Sequence, residues 1–527
     1  MRLGPDVNAT QPNPVRWPIR LAVLIFLVTC IAFHISMAWK GYSNYRDQHL
    51  GTALEYAKGK IDLLHPTIVG FNAGNTPTPL EFPIWQACAA ILFKAFGNWL
   101  GWANITSLLF GLGTLWPIYQ LAKAYSEERT ALWTLLFYVS QPLVFVYTGQ
   151  GGTDGSCLTF AVWFLYFADL IFRTGQVRWL LPTVLSGTLS AVTKAPFFFC
   201  VGLASFFLFL LYGKRDIRRW LMLFVIGIVP LGVFALWTAH TSSVLALAEF
   251  PFVDLRLSAG EDGGQFMQFW FFGDWQHRLA PANWIKGGWR FLNAELGSFA
   301  FLGFMLWGAI FSKNRSAQLL FLSGSLTTLV FTHLVLHHNH YYLMFSPAVA
   351  MLCGWAADRL EATLVKQSEG IAASAIFVGA FTGILFLSTV QGLVGMKIAG
   401  VADPYPHRIA KTIQEYTSVS DKLLIQGGGW GGDMLILSDR RGLSIWDTKF
   451  LEQPQNLNRI RELGFTKLVM ISESPLLLAV QQTNPGQANQ QRDLYVKHLS
   501  PVADPWPELF RTDDLLIKEI PSSRSDK

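Results

Sequence analysis

Charge is scarce in this chain. Asp, Glu, Lys and Arg make up 14% of its 527 residues, against about 25% in an ordinary soluble domain. Length alone would allow several soluble domains, but so little charge excludes that arrangement for most of the sequence. Paired cysteines are also lacking. Cys30, Cys88, Cys157, Cys200 and Cys353 stand singly, mostly inside apolar segments and without metal-ligand spacing. They read as small core residues, not as a disulfide framework or a zinc site. No basic patch gathers on a soluble face, because the net charge of +6 sits at the ends of apolar runs. That excludes nucleic acid as a partner and reads as the orientation signal of a membrane protein. No internal repeat stands out. The glycines of "GGGWGGD" (427–433) lack the GxGxxG register that opens a helix, so this stretch reads as a loop.

What is abundant is apolar sequence. Hydrophobic residues form 51% of the chain, with 20 Trp and 41 Phe, a composition suited to lipid contact and interfacial belts. A membrane-spanning helix needs about 20 mostly apolar residues. Spans are expected near 19–39, 103–121, 130–147, 157–172, 179–194, 196–212, 220–239, 296–311, 317–335, 341–357 and 371–391. The expected fold class is therefore an α-helical polytopic membrane protein of about 11–13 transmembrane helices. The first apolar run is too long for a cleavable signal peptide and follows a polar leader, so it reads as a retained span.

Lys and Arg set the orientation. Arg16 and Arg20, Lys123 and Arg129, Arg173 and Arg178, "GKRDIRR" (213–219), Lys313 with Arg315, and Arg359 with Lys366 all fall on one side if "FPIWQACAAILFKAFG" (82–97) does not cross. Its apolar core is short and interrupted by Lys94, which suits an interfacial helix. The positive-inside rule then places the N-terminus in the cytoplasm. Residues 1–394 form the membrane domain, with outer loops 40–102 and 240–295. Residues 395–527 change composition: short apolar runs alternate with helical patterns, the signature of a small extracytoplasmic α/β domain. The expected location is a bacterial inner (plasma) membrane.

Four outer segments carry the chemistry. Asp47, beside Gln48 and His49, lies just beyond the first span. Asp154 lies in the loop "TGQGGTDGS", where Gly149, Gly151, Gly152 and Gly155 would let backbone approach a ligand. Lys194 in "VTKAP" marks a break between two spans, and "HLVLHHNHYYLMFSP" (333–347) brings His340, Tyr341 and Tyr342 to the same face. Ionisable groups near the bilayer tend to be functional, although an outer acid is often merely solvated, a lysine there can snorkel and tyrosines can anchor an aromatic belt. His333 and His337 have the i, i+4 spacing of a shared metal, but no carboxylate partner is evident. No metal ligand and no cofactor is assigned, and a divalent metal stays open.

Taken in order, several stretches resemble one lineage: Asp47 after the first span, "FPIWQACAAILFKAFG", "NITSLLFGLGTLWPIYQLAKAY", "QPLVFVYTGQGGTDGSCLTFAVWFLYF", "LSGTLSAVTKAPFFF" and "HYYLMFSPAVAML". Residues 19–357 look like the glycosyltransferase-C superfamily. The nearest branch is the dolichyl-phosphate-mannose-protein mannosyltransferase family and its bacterial relatives, such as the aminoarabinose transferases of lipid A. The resemblance implies a polyprenyl-phosphate-linked sugar as donor and transfer on the outer face to a lipid, glycan or protein acceptor. It implies a catalytic base at Asp47, a site-lining acid at Asp154, and a phosphate held by Lys194 and the polar–Tyr group at His340, Tyr341 and Tyr342, with His49 at the same mouth. Two departures stand out. The family usually shows Asp-Glu where this chain has Asp47-Gln48, and often Lys or Arg near His340.

The residues suit that chemistry on their own terms. A carboxylate acting as general base on an acceptor hydroxyl is worth about 10²–10⁴ in rate, and cationic and hydrogen-bonding groups stabilise charge on a departing phosphate. A single displacement would invert the anomeric centre. The rival class is a transporter or flippase of a lipid-linked sugar, which would often show paired, broken helices in two halves.

Overall fold

The computed structural model describes residues 16–39, 47–70, 77–212, 216–247, 268–312, 314–367, 371–396, 405–427, 432–445, 450–471 and 502–521. The glycine-rich stretch around Trp430 and most of the 240–267 part of the expected outer loop lie outside these residues.

The apolar runs become helices in the expected order. They are α1 (Trp17–Trp39), α4 (Gly101–Tyr125), α5 (Glu128–Ser140), α6 (Pro142–Tyr147), α7 (Thr153–Thr174), α8 (Leu180–Thr193), α9 (Ala195–Tyr212) and α10 (Ile217–Leu245). Before α4 come α2 (Asp47–Lys58) and α3 (Ile84–Phe96). The second half holds α11 (Trp275–Leu279), α12 (Pro281–Arg290), α13 (Phe299–Phe311), α14 (Arg315–Val330), α15 (Thr332–His337), α16 (Ser346–Gln367) and α17 (Ile371–Gly395). Six of the described helices are long and apolar enough to cross a bilayer unaided.

Large apolar side chains stay exposed where lipid would lie. Leu21, Leu24, Ile25 and Val28 stripe one face of α1, as do Leu221, Phe224 and Ile228 on α10. Such continuous apolar surface marks contact with something other than water. Inward faces interdigitate instead; Phe137 meets Phe301 edge to face with ring centres 5.0 Å apart.

Some expected spans are broken, for local reasons. The 130–147 run splits at Gln141, whose extended backbone (ψ 129°) is what a following proline imposes; Pro142 then starts α6 at a position where its missing N–H costs nothing. The 317–335 run splits at Phe331. The span expected from 341 instead begins with a 3₁₀ segment, Asn339–Phe345, and α16 starts at Ser346. Helix α12 runs into a π-helical turn, Phe291–Leu296, and meets α13 at a 95° bend. Helix α3 has 13 residues, about 20 Å, too short for a hydrocarbon layer of about 30 Å.

The two ends of the bundle differ in chemistry. At one end Glu128 accepts from Arg16 and, at 3.0 Å, from Arg20; Arg129 pairs with Asp358; and Arg173 reaches Asp169 at 2.7 Å, where Tyr125 also donates. Of the residues used to orient the chain, Arg16, Arg20, Arg129 and Arg173 thus lie in acid-paired clusters at that end. Asp154, Lys194, His340 and Tyr341 lie at the opposite end of the helices that carry or flank them.

Beyond the bundle, α18 (Tyr405–Tyr416), β1 (Lys422–Gly427), α19 (Asp433–Ser438), β2 (Arg441–Ile445), α20 (Pro454–Glu462), β3 (Lys467–Ile471), β4 (Glu508–Arg511) and β5 (Leu515–Glu519) build an α/β unit. Its five strands run in the order β2-β1-β3-β5-β4. The first three are parallel, and β5 and β4 add antiparallel strands. The apolar runs LLI and LVMI are the central strands, buried on both faces, as parallel sheets require. This sheet docks onto the segment between α1 and α3. Gly70 bridges to Leu443 as one more parallel partner, its carbonyl accepting Ser444 N–H at 2.9 Å, and Lys58 meets Asp439 at 2.9 Å.

Candidate active site

The site is assembled from three chain breaks. Lys194 sits in extended backbone between α8 and α9. Asp154 occupies the first turn of α7, where a helix N-terminus favours an anion. The segment before α3 is tied to the α8 end by Phe82 N–H donating to the Val192 carbonyl at 3.0 Å, which brings Glu81 beside Lys194.

The charges then interlock. Lys194 Nζ lies 2.5 Å from Asp154 Oδ1 and 3.3 Å from Glu81 Oε1. Both Lys194 and Asp154 are buried, so each needs the other: an unpaired buried charge is costly. The other Glu81 oxygen accepts from Thr153 Oγ1 at 2.7 Å and lies 2.9 Å from His49 Nε2. Thr153 N–H donates to His49 Nδ1 at 3.3 Å, which leaves the proton on Nε2, directed at Glu81. Burial works to raise the Glu81 carboxyl, but the Lys194 ammonium and then His49 outweigh it and hold that carboxyl at about 2.

A cavity of about 690 Å³ opens on this cluster, lined by Gln48, His49, Glu81, Lys194, His340 and Tyr341 among others. Its walls are largely apolar and aromatic, including Phe234, Trp237, Trp270 and Phe331, the common make-up of a ligand site with a few convergent polar groups. Lys194 Nζ stands 5.4 Å from the centre of the Tyr341 ring, within cation–π range. The His340 ring packs against that of Tyr341, with centres 4.3 Å apart and planes tilted by 40°.

The sequence-derived residues therefore separate into groups. Lys194, His49, His340 and Tyr341 share the cavity. Asp154 is not among the residues that line it and meets cavity-lining Lys194. Tyr342 faces elsewhere, donating its hydroxyl to the Gly287 carbonyl at 3.1 Å and meeting Phe291 edge to face; neighbours on a tight 3₁₀ turn diverge. Asp47 is the first residue of α2, next to cavity-lining Gln48 and His49, and its side chain lies outside the described residues.

Two glycines of the Asp154 loop are used for packing, not for ligand approach. A Cβ at Gly149 would strike the His34 ring at 2.1 Å, and one at Gly155 would meet the Tyr147 carbonyl at 2.8 Å. Glu81 is the residue that sequence reasoning missed. Its available signal was an isolated acid in "TPLEFPIW", between two prolines and ahead of the short apolar helix expected at the interface.

Residues 78–240 match the family model described as dolichyl-phosphate-mannose-protein mannosyltransferase. In three dimensions the chain is similar to ArnT from Cupriavidus metallidurans bound to undecaprenyl phosphate, with a TM-score of 0.61, 13% identity, and 96% of this chain and 98% of that one covered. The chain has the glycosyltransferase-C fold. The archaeal oligosaccharyltransferase AglB from Archaeoglobus fulgidus, in complex with an inhibitory peptide and a dolichol-phosphate, aligns at a TM-score of 0.52 and 10% identity over 97% of this chain and 75% of that one. A mutant arabinofuranosyltransferase AftD from Mycobacteria aligns at 0.53 and 12% over 97% and 42%. No curated protein matches the chain in sequence. The family match spans the stretch that holds Glu81, Asp154 and Lys194.

Proposed function

We propose that this protein is an inverting membrane glycosyltransferase that moves a sugar from a polyprenyl-phosphate donor to an acceptor hydroxyl at the non-cytoplasmic face. The observation that carries the reading is the buried Lys194 ammonium, fixed by Asp154 and Glu81 at the wall of an aromatic-lined cavity at the end of the bundle away from the arginine cluster. The comparisons support the donor class, since solved structures of this fold include one bound to undecaprenyl phosphate and one in complex with a dolichol-phosphate.

In this reading the isoprenoid tail stays in lipid and the sugar phosphate enters the cavity. Lys194, with His340 and the Tyr341 ring beside it, faces the phosphate as charge builds on the leaving group. Asp154 acts as a positioning residue, holding the ammonium in place. Asp47, at the opening turn of α2, takes the acceptor proton as the hydroxyl attacks the anomeric carbon. The bond to the phosphate breaks as the new glycosidic bond forms, and the anomeric centre inverts. The basic cluster at the opposite end would lie in the cytoplasm, and the α/β unit outside. Flippase-type carriers place their polar site near the bilayer midplane between repeated halves; here the charged cluster lies at one end of the helices.

Photo-crosslinking in membranes with a polyprenyl-phosphate probe tests the donor site. Labelling of a peptide from the cavity wall, competed by unlabelled polyprenyl phosphate and weakened by Lys194→Gln, is the expected result. Labelling that ignores both the competitor and the substitution would overturn the assignment.

A further inference from the structure

Near the cavity, but not part of its lining, three imidazoles converge. His333 and His337 project from the same face of α15 and stack in parallel, with ring centres 4.0 Å apart and planes 7° from parallel. His277 on α11 comes to them from 56 residues earlier, its ring centre 4.7 Å from that of His333 and 5.6 Å from that of His337. One nitrogen from each ring lies within 4.8 Å of the others.

The chain is shaped to bring His277 there. Gly273 turns with φ +68°, and a Cβ at that position would stand 3.0 Å from the His277 ring and 3.4 Å from His333 Cβ, so another side chain would be both strained and crowded. Asp274 caps α11 by accepting the His277 backbone N–H at 2.6 Å, and Asn283 Nδ2 lies 3.1 Å from His277 Nδ1, holding that edge of the ring. His333 is 6% exposed. Its Nδ1 and the Nε2 of His277 are buried and, among the described residues, meet no hydrogen-bond partner. Leaving such atoms unsatisfied costs about 1–3 kcal/mol each.

We propose that His277, His333 and His337 bind a transition-metal dication of the zinc class. Neutral imidazole suits that class of metal. Three imidazoles with an open fourth position for water form a known arrangement, with metal–nitrogen distances of about 2.0–2.1 Å that put the nitrogens roughly 3.4 Å apart. The described spacing closes to that by side-chain rotation of His337, the exposed member of the group, and His277. The bound ion staples the 268–279 segment to α15. That segment carries Trp270, whose ring packs on both His333 and His338 and which lines the cavity with Phe271 and Phe272. The site is a fixing point for the cavity wall, separate from the Lys194 cluster, and it stands independently of the proposed reaction.

The test uses full-length protein in detergent, purified without a polyhistidine tag and stripped with a chelator. Cobalt(II) is the probe, because its visible ligand-field bands report nitrogen coordination. One cobalt ion per chain is expected, displaced by zinc, with affinity falling at least about tenfold in His337→Gln. The bands should vanish in the His277→Gln/His337→Gln double variant while its gel-filtration profile stays that of the parent. Absence of bands at stoichiometric cobalt, or bands that survive the double substitution, would overturn the site.

Discussion

Lys194 Nζ lies 2.5 Å from Asp154 Oδ1, 40 residues earlier in the chain, and each side chain is only 3% exposed. The pair joins the start of α7 to the break between α8 and α9. Removing Asp154 takes the nearer of two carboxylates from the buried Lys194 ammonium, with Glu81 still 3.3 Å from it. Asp154→Ala should therefore destabilise the protein by less than the about 3–5 kcal/mol of an uncompensated buried charge. The double variant Asp154→Leu/Lys194→Met should recover part of that loss, because well-packed apolar groups of similar volume often replace a buried pair without penalty, while Glu81 gives up its contact with the ammonium. Thermal unfolding in detergent measures both; equal losses in single and double variants would contradict the pairing.

Glu81 gives a prediction in pH. Its carboxyl is held at about 2, below the ordinary 4.5. A depressed carboxylate stabilises the folded state fully above its unfolded value and loses that contribution as pH falls toward its folded one. The wild type should therefore lose stability between about pH 4.5 and 2 through this group, and Glu81→Gln should flatten that part of the profile. Melting temperatures of both proteins across this range decide it.

Gly70 positions the α/β unit. It has φ +88°, and a Cβ there would stand 3.1 Å from Gly432 Cα. Gly70→Ala should cost about 1–2 kcal/mol from the left-handed backbone alone and loosen the contact with β2. Limited proteolysis should release the C-terminal unit faster than in the wild type, while the bundle remains intact.

Adjacent tyrosines should behave differently. Tyr342→Phe loses the hydrogen bond to Gly287 and should lower stability by about 0.5–1.5 kcal/mol, with the donor KM unchanged. Tyr341→Ala removes the ring beside Lys194 and should raise the donor KM. Steady-state kinetics beside unfolding curves separates the two.

Much of this molecule is legible in its sequence because lipid imposes simple demands. Apolar run length located the helices, and Lys and Arg marked the end opposite Asp154 and Lys194. The alternating pattern after residue 395 named strands that the sheet contains. The helix break at Phe331 was less visible, since a hydropathy pattern continues through a turn that leaves composition unchanged, whereas the break at Gln141 carries its signal in Pro142. Glu81 was missed because its partners lie 32 residues before it and up to 113 after it, and only folding joins them. His277 was hidden for the same reason: the i, i+4 signal of His333 and His337 could not reveal a third ring from a distant segment. Tyr342 shows the opposite error, because adjacency on a 3₁₀ turn does not give a shared direction.

The most direct measurement is sugar transfer by purified protein reconstituted in lipid, with polyprenyl-phosphate sugars as donors and release of polyprenyl phosphate as readout. The wild type should release it with inversion at the anomeric carbon, and Asp47→Asn should be slower by at least about 10². Near-normal release by Asp47→Asn would contradict the proposed chemistry.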